Sequence, residues 1–275
     1  MGNLGESVFG FPFGAASNLA KRWLFGRIGC NFYGFICYMT TLSNLCTFVA
    51  ISLYRYIVVC RSEKVSQLLT VKNVRIAIGV VWMYALLWAL LPLIGWGSYG
   101  PEPYKTTCSL DWTNRSFNSI SHIINVFVFV LLLPLLVMVM AYWAILRHTK
   151  SQISRAAYES SVEEKSTLPL KHAKHGVTYI KDIETRTSKI VQITILLYVM
   201  SWLPYATCSL LSACGVVFPV TVTAIPALIA KTHCAYTPIV YITAHKKFKI
   251  ALMELIGIRM QQRTVTTPPK HTTPI

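Results

Sequence analysis

The chain has 275 residues, of which 54% are hydrophobic and only 13% charged. A water-soluble globular domain carries about 25% charged residues, so this composition excludes an ordinary soluble domain and points to lipid as the solvent. A formal net charge of +16 would suit a nucleic-acid binder, but the placement of the charges along the chain excludes that reading.

A short apolar segment at 4–20 comes first. Full spans follow near 31–56, 74–97, 121–146, 188–213 and 222–244, set against the roughly 20 residues that cross a bilayer. The runs are continuous and not alternating, which fits helices and not barrel strands. After the last span, HKKFKIALMELIGIRM (245–260) reads as an amphipathic helix on the membrane surface. Phe248, Leu252 and Leu255 would face lipid, and Lys246, Lys247 and Lys249 the headgroups. The Thr- and Pro-rich residues 261–275 are expected to form a disordered cytoplasmic tail.

Segments 55–75, 147–189 and 245–275 hold 20 of the 26 lysines and arginines. The positive-inside bias puts these segments in the cytoplasm. The basicity is then explained by the bilayer as partner, with no nucleic acid. The mixed-charge stretch 147–189 is expected to be a flexible cytoplasmic loop, its SVEEKS (161–166) a solvated face. Six spans would leave the N-terminus on that same side. The first segment is also short, so a preceding helix and half of this one are expected to be missing from the sequence. The eight cysteines form no CxxC pair, which argues against a zinc or iron–sulfur centre, and no metal site is expected.

Lys231 lies inside the last span, where a central lysine costs about 2.5–3.5 kcal/mol. It is either a structural cation paired with a carboxylate or a reactive amine. A neutral primary amine in an apolar pocket is nucleophilic and condenses with an aldehyde. The product retains a buried positive charge and requires an anion. Glu102 and Asp111, in GWGSYGPEPYKTTCSLDW (95–112), and Glu6 in the first segment are the candidates.

Three features converge: YRYIVVC (54–60) at the cytoplasmic end of one span, SWLPY (201–205) inside another, and TPIVY (237–241) near the end of the last. Pro204 removes a helix hydrogen bond and kinks its helix. In this order and spacing the chain resembles a rhodopsin-like G-protein-coupled receptor from its second helix to its eighth. AKTHCAYTPIVY (230–241) puts Lys231 seven residues before Pro238, the spacing the opsins use. PEPYKTTCSLDW (101–112) and GFPFGAASN (10–18) look most like the neuropsin and peropsin side of that family, neuropsin by preference.

The resemblance implies an all-α membrane protein, a seven-helix bundle truncated at its N-terminus to about six transmembrane helices, with a surface helix. It implies a multi-pass light receptor of the plasma membrane, not an enzyme, that carries retinal (11-cis or all-trans) as a Schiff base on Lys231 and signals to a heterotrimeric G protein. Glu102, six residues before Cys108, matches the family's loop counterion; the alternative position, three residues after Cys30, is the neutral Tyr33. The family joins the positions of Cys30 and Cys108 by a disulfide. Pocket walls would come from Tyr33, Gly34, Cys37 and Tyr38 and, from the sixth helix, Trp202 and Tyr205. Coupling and switching would fall to Tyr54, Arg55, Tyr56, Tyr142, Glu184, Pro238 and Tyr241. NRS (114–116) offers Asn114 for glycosylation.

The chain departs from the family pattern at the signalling end. Tyr54 replaces the acid before Arg55, which leaves Glu184 as the arginine's expected partner. Thr237 replaces an asparagine, and Asn3 takes roughly the place of the second-helix aspartate. The alternatives are therefore a retinal photoisomerase or chromophore store with little signalling, or a truncated product without function.

Overall fold

With no water in the hydrocarbon layer, backbone polar groups must be satisfied within each segment, and the apolar runs fold accordingly as helices. The computed structural model describes residues 2–163, 171–244, 246–255 and 257; the tail expected from 261 lies outside them. Helix α1 (Gly2–Gly5) continues through a π-helical turn (Glu6–Gly10) into α2 (Phe11–Leu19). Next come α3 (Gly26–Cys60), the short α4 (Val65–Leu68) and α5 (Val71–Leu90). A hairpin of β1 (Tyr99–Pro101) and β2 (Cys108–Leu110) precedes α6 (Phe117–Asn125), a second π turn (Val126–Leu132) and α7 (Leu133–Glu163). Then come α8 (Lys171–Ala213), α9 (Val220–Lys231), α10 (His233–Ala244) and α11 (Lys246–Leu255). The chain divides into two compact units, Met1–Cys234 and Ala235–Ile275. The second holds most of α10, with Pro238, and α11, which falls within the helix expected at 245–260.

Within the first unit α3 is the wedge. Its Leu45 and Phe48 pack with Met138 of α7 and Val191, Ile195 and Tyr198 of α8. Its Leu42 packs with Ala85 and Trp88 of α5 and with Val126 and Val130 of the second π turn. Polar side chains on α3 turn back to their own helix: Ser43 Oγ donates to the Thr40 carbonyl at 2.7 Å and Ser52 Oγ to that of Phe48 at 2.7 Å. A hydroxyl in lipid is satisfied this way without a partner helix. On α5 the small Ala85 and Ala89 are fully buried, while Ile76, Ile78, Val80 and Met83 are exposed. Small residues inside and branched ones outside are the membrane arrangement, since lipid is as apolar as the interior.

Four helices among the described residues are long and apolar enough to cross a membrane: Gly26–Cys60, Val71–Leu90, Phe117–Arg155 and Ile190–Ala213. Of the other two apolar segments, the first is helical only from Gly2 to Leu19 and the last is broken at Thr232. Two expectations are corrected. The span expected at 74–97 ends as a helix at Leu90, because Pro92 lacks a donor and Gly95 and Gly97 adopt φ of +100° and +82°. The loop expected at 147–189 is largely helical backbone, α7 running to Glu163 and α8 starting at Lys171; once the ladder is nucleated in lipid, the good helix formers beyond it prolong it. The all-α bundle carries one short hairpin, β1–β2, whose strands pair antiparallel with Tyr99 opposite Leu110 and Pro101 opposite Cys108.

Candidate functional site

The hairpin carries the first half of the site. Cys108 on β2 forms a disulfide with Cys30 at the start of α3, Cα to Cα 5.4 Å, which ties the strands to the helix. Tyr99 on β1 lies over Gly34, where any Cβ would stand 2.6 Å from the Tyr99 ring. The Tyr99 hydroxyl donates to the Ala89 carbonyl at 2.8 Å. Burial pushes that hydroxyl well above the usual tyrosine range, so it remains a donor. Glu102 follows β1 directly. Its backbone N–H donates to the Thr107 carbonyl at 2.8 Å, and the Thr107 hydroxyl donates to Glu102 Oε2 at 2.7 Å. The loop closes through Lys105 in the left-handed region, φ 57°. The carboxylate is therefore held inward by its own hairpin and is only 8% exposed.

The second half is the end of α9. The helix terminates at Thr232 just after Lys231, and Lys231 Nζ stands 3.6 Å from Glu102 Oε2. The lysine is 27% exposed, because a recess between α2, the hairpin and α9 opens beside it. Inward, it lines a cavity walled mainly by apolar and aromatic groups. All eight of the expected pocket residues line that one cavity: Lys231, Glu102, Tyr33, Gly34, Cys37, Tyr38, Trp202 and Tyr205. Tyr205 links the cavity wall to the β1–β2 hairpin, the lid of the cavity, accepting from Trp112 Nε1 at 3.1 Å and donating to Ser109 Oγ at 3.3 Å. Trp202 packs against Tyr198, Tyr205 and His233, with ring centroids 5.7–6.1 Å apart.

Of the competing acids, Asp111 accepts from the backbone N–H and hydroxyl of Thr113 and shapes its own turn. Glu6 does line the cavity, but its Oε2 lies 3.5 Å from His233 Nε2 and 3.2 Å from Cys234 Sγ. Sequence reading named Glu6 only as a candidate anion for Lys231; it missed its partners His233 and Cys234, and also Trp112 and Phe127 in the cavity wall. Glu6 and His233 carried a usable signal, as ionisable residues inside apolar segments; Trp112 and Phe127 carried none beyond apolarity.

The signalling residues are not brought into one arrangement by the described side chains. Tyr54 is exposed, and the Arg55 guanidinium lies 5.8 Å from its ring centroid. Tyr56 is on the same helix, and Tyr142 packs on the α3–α7–α8 core. Glu184 and Tyr241 belong to α8 and α10, but their side chains lie outside what is described, as does the expected Arg55–Glu184 pair. Pro238 lies in the second unit. Asn114 is exposed, in the loop before α6.

Comparison with known proteins gives three kinds of match. The profile of the 7 transmembrane receptor (rhodopsin family) covers residues 2–241. The chain is 34% identical over 251 residues to Opsin-5 of Homo sapiens, covering 90% of this chain and 66% of that protein. It is 29% identical over 254 residues to "Rhodopsin, G0-coupled" of Mizuhopecten yessoensis (91% and 60%) and 32% identical over 250 residues to Melanopsin of Mus musculus (90% and 46%). The chain thus spans less than two thirds of the length of these curated relatives. A crystal structure of squid rhodopsin superposes with a TM-score of 0.79 at 28% identity, covering 93% of this chain and 72% of that one.

Proposed function

We propose, for a chain that belongs to the rhodopsin family of seven-transmembrane receptors, that it is a multi-pass light receptor holding retinal covalently on Lys231. The observation that carries this reading is the Lys231–Glu102 pair, 3.6 Å apart, at one end of an apolar, aromatic-walled cavity. The residues fit the group: one primary amine, one carboxylate beside it, and apolar walls for a polyene. Retinal supplies an aldehyde that condenses with the lysine amine, releasing water, and a polyene that isomerises on absorbing light.

The chain's own residues do the rest. Glu102 balances the positive charge left on the lysine nitrogen, and its hairpin and the Cys30–Cys108 bond hold it there. Tyr33, Gly34, Cys37 and Tyr38 on α3 and Tyr205 on α8 bound the cavity and exclude water from it. Trp202, two residues before Pro204, is placed to feel a change of shape in the cavity and pass it to α8, whose proline interrupts the helix ladder. The response is a shift between two helix arrangements, read by a heterotrimeric G protein near Tyr54, Arg55 and Tyr56, with Tyr142, Glu184, Pro238 and Tyr241 as switch positions. Glycosylation at Asn114 belongs to the same reading.

The test is reconstitution with 11-cis- and with all-trans-retinal. The parent chain is expected to gain a light-sensitive absorption band whose chromophore stays attached after denaturation, and illumination should raise nucleotide exchange on an added G protein. Lys231→Ala should lose both. A pigment that survives Lys231→Ala unchanged overturns the assignment.

A further inference from the structure

A second buried constellation lies beside the cavity, apart from the lysine. Glu6, His233 and Cys234 each offer a ligand atom, and those atoms lie within 4.8 Å of one another. Their relative exposures are 3%, 1% and 6%. Glu6 Oε2 to His233 Nε2 is 3.5 Å, Cys234 Sγ to Nε2 is 3.5 Å, and Sγ to Oε2 is 3.2 Å. We propose that Glu6, His233 and Cys234 form a site for a zinc-class transition-metal ion.

Four observations carry this. The first is spacing. Tetrahedral zinc with bonds of about 2.0–2.3 Å separates its ligand atoms by about 3.3–3.6 Å, and the three observed separations lie in or next to that range. The second is orientation. His233 Nδ1 lies 2.8 Å from the Ala230 carbonyl, an acceptor, so Nδ1 is the donor, and in the neutral ring the lone pair of Nε2 faces Glu6 and Cys234. A ligating histidine characteristically donates its other ring N–H to such a carbonyl. Asn44 Nδ2, 3.5 Å from Nε2, also donates at 2.6 Å to Asn3 Oδ1 and keeps that partner when a metal takes the lone pair. The third is charge. A divalent ion with one carboxylate, one thiolate and a neutral imidazole sums to zero, so the loaded site carries no buried net charge. The fourth is backbone. Glu6 opens a π turn, and α9 breaks between Lys231 and His233; both irregularities aim side chains at the cluster, and π turns concentrate at functional sites.

A thiolate selects against magnesium and calcium, which prefer oxygen. On binding, the Cys234 S–H bond breaks, a sulfur–metal bond forms and the proton leaves to solvent, so affinity rises with pH. The fourth position faces Asn3 Oδ1, which lies 3.9 Å from Sγ, or takes a water. Glu6 also lines the aromatic-walled cavity, which gives an ion its route.

The experiment uses the full chain in detergent, chelator-treated and without retinal, so it stands apart from the photoreceptor reading. Cobalt(II) is titrated as a spectroscopic substitute for zinc. The expected result is one equivalent bound, with a thiolate-to-cobalt charge-transfer band and tetrahedral visible bands, abolished by zinc and unaffected by excess magnesium. Cys234→Ser should remove the charge-transfer band. Glu6→Gln and His233→Gln, which keep the thiol, should each weaken binding by at least about tenfold, and Cys46→Ser should change nothing. Zinc should raise the thermal midpoint of the parent and not of the three site variants. No stoichiometric band, or a band that persists in Cys234→Ser, overturns the site.

Discussion

Lys231 and Glu102 sit on different elements, 129 positions apart in numbering, and meet at 3.6 Å. An opposite charge at about 4 Å is worth about 4 kcal/mol at an effective dielectric of 20, or about three pH units at 1.36 kcal/mol each. The sign follows directly. A carboxylate beside the retinal-bearing nitrogen favours its protonated, visible-absorbing form, so removing the carboxylate lets the proton leave at lower pH. With retinal bound, Glu102→Gln should therefore shift the loss of visible absorption to lower pH by up to about three units. Asp111→Asn should leave the titration nearly unchanged, because Asp111 is held by Thr113. Spectra titrated in the dark and after illumination cover a pigment that starts unprotonated. An unmoved transition in both states would place the anion elsewhere.

The lid is the element that positions this carboxylate. A three-residue strand pair is marginal in isolation, and here it is held by the Cys30–Cys108 bond, by Tyr99 on Ala89 and by the Ser109–Tyr205–Trp112 chain. Gly34 is where α3 accepts the lid, since a methyl there would meet the Tyr99 ring at 2.6 Å. Gly34→Ala should push Tyr99 off α3 at a cost of about 1–3 kcal/mol, with slower or incomplete retinal uptake. Thermal unfolding and regeneration yield check this. A variant with parental midpoint and yield would mean that the lid does not need that contact. The breaks in α1–α2 and α9–α10 matter at the same scale. Each ends regular hydrogen bonding beside an ionisable residue, Glu6 in one case and Lys231 and His233 in the other.

For the whole molecule, lipid sets the pattern of exposure and charge sets the orientation. The outer faces of α5 and α7 display Ile78, Met83, Leu136 and Val139, while lysines and arginines concentrate in 55–75, 147–189 and 245–275. The positive-inside bias then leaves Asn114 on the opposite, lumenal side. In a membrane translation system with glycosylating microsomes, the chain should gain one glycan, lost in Asn114→Gln and in Ser116→Ala. A new acceptor sequon placed in 147–163 should stay unmodified. A glycan on that inserted sequon, or none at Asn114 when the chain is inserted, would reverse the proposed orientation.

Sequence alone determined that this is a multi-spanning helical membrane protein, because long apolar runs and asymmetric basic segments are local properties that lipid reads directly. It also singled out Lys231, since a cation inside an apolar run is visible without a fold. The family motifs pointed to the cavity residues and to the Cys30–Cys108 pair. The resemblance favoured Glu102, and tertiary structure supplied the physical reason that this acid faces the lysine. Glu6, Glu102 and Asp111 are equivalent carboxylates as letters; the hairpin register turns one inward, Thr113 holds another at its own turn, and the π turn delivers the third to His233. The Glu6–His233–Cys234 cluster was likewise illegible, because no spacing rule links residues from opposite ends of the chain. Only the packing of α1 and its π turn against the break after α9 brings them within bonding reach.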